Sequence, residues 1–162
     1  MDRLIALSLL FLSSLTLISS SAEVQLQQLN DPMSETPTNN VSSHVLDIAA
    51  GRPAQGLKCI AYKWERSEGN AKDDDDVEKG TWDIWGQTVT NEQGRIPIVH
   101  PGQQLSAGTF KLRFHTNEYF KLQNRNTFYP YIEVVFQIED PTIHYHVPIT
   151  LSNFGYSTYK GQ

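Results

Sequence analysis

Three of the five histidines in this 162-residue chain, together with one arginine, hold most of its chemical potential. His144 and His146 lie two apart in the stretch 143–151, where Tyr145, Val147, Ile149 and Leu151 take every second position. Such alternation marks a strand buried on one side, and side chains two apart on a strand share a face. Both imidazoles therefore project together, away from the core. With an unperturbed pKa of about 6.5, a neutral histidine can take the proton of an attacking water near neutral pH. His44 sits in Ser43-His44-Val45-Leu46-Asp47, and Arg95 closes a polar turn, Thr90-Asn91-Glu92-Gln93-Gly94-Arg95. A guanidinium is a planar, permanent cation, suited to a flat anion rich in carbonyl oxygens and to the charge that grows on an attacked carbonyl.

His-x-His is also a metal-ligand spacing, and His44 as a third ligand would complete a zinc site with one open position. No carboxylate stands beside each histidine in sequence to orient it, so the expectation is no metal. The plainest alternative is a surface pair of histidines without a role.

The elements that must position these residues are strands. Residues 57–64 and 81–90 read as strands with mixed faces. In 108–115, Phe110, Leu112 and Phe114 face one way and Lys111, Arg113 and His115 the other; in 131–138, Ile132, Val134, Phe136 and Ile138 face inward. Residues 117–123 offer the one plausible helical turn. Many short strands with glycine and proline punctuation predict an all-β sandwich of two sheets with one short helix. Cys59, the only cysteine, excludes an intrachain disulfide and reads as a packed side chain of the first of these strands.

With 39% hydrophobic and 19% charged residues, the chain suits one globular domain plus appendages. Its net charge of -5 comes largely from Asp73 to Asp76, and no basic stripe is present, which argues against nucleic acid as a partner. That acidic run lies in a glycine-containing loop, 65–80, and lacks the spaced oxygen ligands of a calcium loop, so it is expected to be solvated. Residues 1–22 read as a signal peptide: Arg3, an apolar stretch from Leu4 to Ile18, then small residues up to Ala22. Export by the secretory route follows, with no membrane association once the segment is removed. Residues 23–42 read as a flexible polar leader, and 43–162 as the folded domain. Asn40-Val41-Ser42 fits the N-glycosylation pattern, making Asn40 a candidate glycan site.

Three separated segments carry a family likeness. Ser43-His44-Val45-Leu46-Asp47 with Gly51, Pro53 and Ala54, the turn 90–95, and His144-Tyr145-His146-Val147-Pro148 running on through Leu151-Ser152 and Gly155-Tyr156-Ser157-Thr158-Tyr159 together resemble the 5-hydroxyisourate hydrolases of the transthyretin-like family. The likeness spans about residues 43–162. It implies an immunoglobulin-like (transthyretin-type) sandwich of two antiparallel sheets, a homotetramer built as a dimer of dimers, and sites in a channel between dimers. It further implies cofactor-free hydrolytic opening of an oxidised purine ring at an amide carbonyl, in urate degradation. His44, Arg95 and His146 take the catalytic positions, His146 or His44 being the general base, and the closing Tyr159, Lys160, Gly161 and Gln162 would contact substrate.

Four positions depart from the family pattern. Lys160 and Gln162 stand where the enzymes have arginine and serine, and Asn91 and Gln93 stand where the turn has acids. Lysine keeps the charge but loses the two-pronged fork. The alternative expectation is therefore a secreted carrier for a small aromatic ligand, without turnover.

Overall fold

The computed structural model describes residues 39–66 and 80–162. The signal-like segment 1–22, the leader as far as residue 38 and the run Asp73 to Asp76 lie outside the described residues. In chain order the elements are β1 (Val41–Asp47), β2 (Arg52–Pro53), β3 (Lys58–Arg66), β4 (Gly80–Val89), β5 (Arg95–Ile96), β6 (Gly108–Phe114), α1 (Thr116–Lys121), β7 (Ile132–Ile138), β8 (Tyr145–His146), β9 (Ile149–Ser152) and β10 (Gly155–Thr158).

They form two sheets, one ordered β4-β3-β6-β7 and one ordered β10-β9-β1-β2, in which β5 and β8 also pair with β1. The four-stranded sheet is antiparallel throughout. The other is mixed, because β1 runs antiparallel to β2 and β5 but parallel to β8 and β9. This qualifies the expectation of two purely antiparallel sheets. Between the sheets, Val41 and Val45 of β1 and Ile149 and Leu151 of β9 meet Cys59, Ala61, Phe110, Leu112 and Phe114 in one dry core.

Alternation in β1 decides what reaches the outer surface: Val41, Ser43, Val45 and Asp47 are buried, while Ser42, His44 and Leu46 are half-buried on the opposite side. Val41 and Ser42, read from sequence as the end of a flexible leader, are thus the first two residues of this central strand. Asn40, just ahead of them, is buried with 7% of its surface exposed.

Residues 143–151 form two strands, not one. Pro148 lacks the N–H a ladder needs, and its carbonyl instead accepts the Thr158 hydroxyl proton at 2.8 Å. The alternation survives the break, with Tyr145, Val147, Ile149 and Leu151 all buried. Lys111, expected to face water, is buried under the aromatic rings of Trp82 and Tyr62 and paired with Glu133 at 3.0 Å. Burial without any ionic partner would be prohibitive for an ammonium, and Glu133 on the neighbouring strand supplies it. Cys59 packs in the core as expected, and burial pushes its thiol up to about 12.

One charged feature was not anticipated. Asp47 has no exposed surface, and Arg125, from the segment after α1, donates to its carboxylate at 2.6 Å. The Tyr119 hydroxyl (3.2 Å) and the Ala50 N–H (3.0 Å) complete the ring of donors. Asp47 is the inward residue of β1 three positions after His44, so this cluster anchors the end of the strand that bears the histidine.

Candidate active site

Strand β1 carries Ser42 and His44 outward, and its two edges bring in the rest. On one edge, His44 stands opposite Arg95 of β5; on the other, Ser42 stands opposite His146 of β8. The backbones of β5 and β8 are therefore roughly 10 Å apart, twice the spacing of neighbouring strands. His44, Arg95 and His146 thus share one face.

Arg95 is set by its turn. The Asn91 side-chain oxygen accepts from the Gln93 N–H at 3.0 Å and the Arg95 N–H at 2.8 Å, while the Gly94 N–H donates to the Asn91 carbonyl at 2.9 Å. An amide oxygen can accept both bonds as a carboxylate would, so asparagine keeps the turn closed without the negative charge. Gly94 has φ +70°, and a Cβ there would lie 2.4 Å from the Val45 carbonyl oxygen; only glycine fits. Buried Thr90 moors the other end, accepting the Leu57 N–H at 2.8 Å and donating to the Ala54 carbonyl.

His44 approaches the same turn through its ring, with Nε2 2.9 Å from the Gln93 carbonyl oxygen. A carbonyl only accepts, so Nε2 bears a proton, and in the uncharged form of the ring the lone pair is on Nδ1.

His146 is held differently. Its Nδ1 lies 2.8 Å from the Ser42 hydroxyl, whose oxygen also lies 3.0 Å from Nε2 of exposed His144. The two rings are 6.4 Å apart and nearly parallel, at 21°. Burial holds the His146 pKa below the ordinary imidazole value, and the nearby His144, Arg95 and His44 push it the same way. A ring so placed is neutral at pH 7, as a general base must be.

The closing residues divide between two sides. The Gly161 N–H donates to the His146 carbonyl at 2.9 Å, and Gly161 rests directly on the His146 ring. Tyr159 is exposed, and the Lys160 ammonium lies 5.4 Å from the centroid of the Tyr145 ring. Tyr159 and Lys160 line a cavity of about 340 Å³ with Val134, Val135, Phe136 and His146. Exposed Gln162 follows Gly161. Gly161 thus meets His146 directly, and Lys160 shares a cavity wall with it.

Among the described residues, no group of three or more histidine, cysteine, aspartate or glutamate side chains is arranged to hold a metal ion. His44 ties its Nε2 to the turn, and His144 and His146 turn their nearer nitrogens to Ser42, so the three do not converge as ligands. Ser42 is the site residue that sequence reading missed. The signal was available: continuing the β1 alternation back through Val41 places residue 42 beside His44 on the outer face.

Residues 41–161 match the HIUase/transthyretin family, and the chain belongs to it. It is 44% identical over 128 residues to a probable 5-hydroxyisourate hydrolase of Caenorhabditis elegans, covering 79% of this chain and 85% of that one. A solved 5-hydroxyisourate hydrolase of Klebsiella pneumoniae superposes with a TM-score of 0.59 at 30% identity, covering 75% of this chain and 98% of that one. Transthyretin from Sparus aurata superposes with a TM-score of 0.62 at 27% identity, over 76% and 97% of the respective chains.

Proposed function

We propose that this protein hydrolyses 5-hydroxyisourate, opening the ring at an amide carbonyl in the breakdown of urate. The observation that carries the proposal is the meeting of His44, Arg95 and His146 on the outer face of β1, each delivered by a different strand. In this reading His146 is the general base. Its Nδ1 is engaged by Ser42, and its Nε2, which has no hydrogen-bond partner among the described residues, faces the open surface to take the proton of water. Arg95 binds the flat anionic substrate and stabilises the oxyanion as the water adds. The proton that His146 takes from water is returned to the leaving ring nitrogen as the C–N bond breaks, while His44, fixed by Gln93, offers Nδ1 as an acceptor that orients the substrate. Water is the nucleophile, and these residues supply the base and the counter-charge. The closing segment from Tyr159 to Gln162 supplies a wall, with Gly161 against the base.

The test is loss of freshly generated 5-hydroxyisourate followed by ultraviolet absorbance. Wild-type protein should accelerate it with or without chelator. His146→Ala should lower kcat by roughly 10²–10⁴-fold, the range for a positioned acid-base group. An inactive wild-type chain, stabilised instead by a small aromatic ligand, would establish the carrier reading that the transthyretin likeness keeps open.

We further infer a homotetramer arranged as a dimer of dimers, with sites between dimers, and export directed by residues 1–22. Sedimentation of the purified protein and amino-terminal sequencing of material from the culture medium test these two points.

A further inference from the structure

Ser42 stands between the two imidazoles of the site, 2.8 Å from His146 Nδ1 and 3.0 Å from His144 Nε2. A hydroxyl has one proton and can give it to only one ring, accepting from the other. The tautomers of the two histidines are therefore linked. If Ser42 donates to His146, that ring keeps its proton on Nε2 and cannot act as a base towards the open face. If Ser42 donates to His144, it accepts from Nδ1–H of His146, and the outward Nε2 carries a lone pair.

We propose that Ser42 is a positioning residue of this site: it donates to His144, holds His146 in the Nδ1–H tautomer, and passes the charge state of His144 to that choice. The inference rests on the hydrolase reading, which requires the lone pair on His146 Nε2, and it adds the device that puts it there. The geometry suits the task. Ser42 is in backbone register with His146, and β1 fixes its outward direction. Gly161 packs on the far side of the His146 ring, so the ring cannot turn away from the hydroxyl. His144 is exposed and His146 half-buried.

Protonation of His144 reverses the relay. An imidazolium carries protons on both nitrogens, so its Nε2–H must donate to Ser42. Ser42 then turns its own proton to His146 Nδ1, and the outward Nε2 takes up the remaining proton of that ring. The base is lost while His146 is still uncharged. The other ionisable groups around His146 are His44 from β1, Arg95 from β5, and Tyr159 and Lys160 of the closing segment, and none of them hydrogen-bonds the Ser42 hydroxyl. His44 and Arg95 shift the titration of His146 without selecting its tautomer.

Histidine side-chain ¹⁵N spectra of the full chain, recorded without substrate, test the relay directly. At neutral pH, wild-type His146 should show a protonated Nδ1 and a bare Nε2. Ser42→Ala should move the ring towards the Nε2–H form, which an unconstrained histidine side chain prefers. It should also lower kcat by about tenfold or more, a fraction of what a general base contributes, with little change in KM. Ser42→Thr, which keeps the hydroxyl, should restore both. The acid limb of the kcat profile should fall with a slope approaching about two in wild type and about one in His144→Gln, because one of two inactivating protonations is gone. A wild-type His146 protonated at Nε2, or a tautomer indifferent to Ser42→Ala, overturns the relay. Absence of turnover alongside an Nδ1–H ring in the wild type would instead count against the hydrolase reading.

Discussion

Gly161→Ala is a one-carbon change at the penultimate residue, and the structure gives it a large expected effect. A Cβ at this position would lie 2.4 Å from His146 Cδ2, 3.1 Å from Cγ and 3.2 Å from Cβ. Carbon atoms not bonded to one another settle at about 3.5–4.0 Å, so the ring and the tail must separate by roughly 1 Å. The tail is tethered by the Gly161 N–H on the His146 carbonyl and by the Thr158 hydroxyl on the Pro148 carbonyl. Part of the displacement therefore falls on the ring, whose Ser42 bond has little slack at 2.8 Å. A misplacement of about 1 Å at a reacting group costs on the order of 10²-fold in rate, equivalent to about 2.7 kcal/mol in barrier. Residue 161 touches no core side chain, so the melting temperature should move by no more than about 3 °C. Turnover of 5-hydroxyisourate and a thermal melt on the same preparation read the two quantities. Wild-type kcat in a normally folded Gly161→Ala protein would refute the claim that the tail fixes the base.

Arg125→Ala leaves the carboxylate of Asp47 buried without its cation, and urea titration should show a loss of about 3 kcal/mol, the lower end of the range for breaking a buried pair. Cys59 should resist thiol reagents in the native protein and react only as the chain unfolds, since burial leaves its thiol protonated, at about 12; native-state labelling checks this. Burial lowers the pKa of His100, which stacks on Trp85 at 4.0 Å and accepts the Val41 N–H at 3.1 Å. The unfolded chain then takes up this proton first, so stability is level above pH about 6.5 and declines as pH falls below it. His146, lowered in the same direction, adds to the decline. Urea midpoints against pH should show a shallower slope in His100→Gln.

Much of this was legible in the chain because alternation reports faces directly. The inward residues of β6, β7 and the segment 143–151 followed from period two alone, and so did the common face of His144 and His146. The meeting of His44 and Arg95 with His146 was legible only through the family pattern, since pairing between residues about 100 apart leaves no local trace. Two polar features escaped. Ser42 was masked by the polar composition ahead of it, although β1 begins at Val41. Asp47 looked like an ordinary strand-end acid; its burial depends on Arg125, and no periodicity links the two. Lys111 was placed on the correct face, but that face is roofed by aromatic rings from neighbouring strands, which a single-strand pattern cannot show.

Three hydrogen bonds at the His146 end of the site join β1 to the last fifth of the sequence: Ser42 to His144 and His146, and the Ser42 carbonyl to the Val147 N–H. Such long-range contacts cannot exist until the final strands have been synthesised and have docked alongside the first. A growing chain on the ribosome, or one trimmed before residue 144, therefore has no working centre at all. The onset of turnover during refolding should accordingly mark the closing of the domain, making the reaction a clock for its own completion.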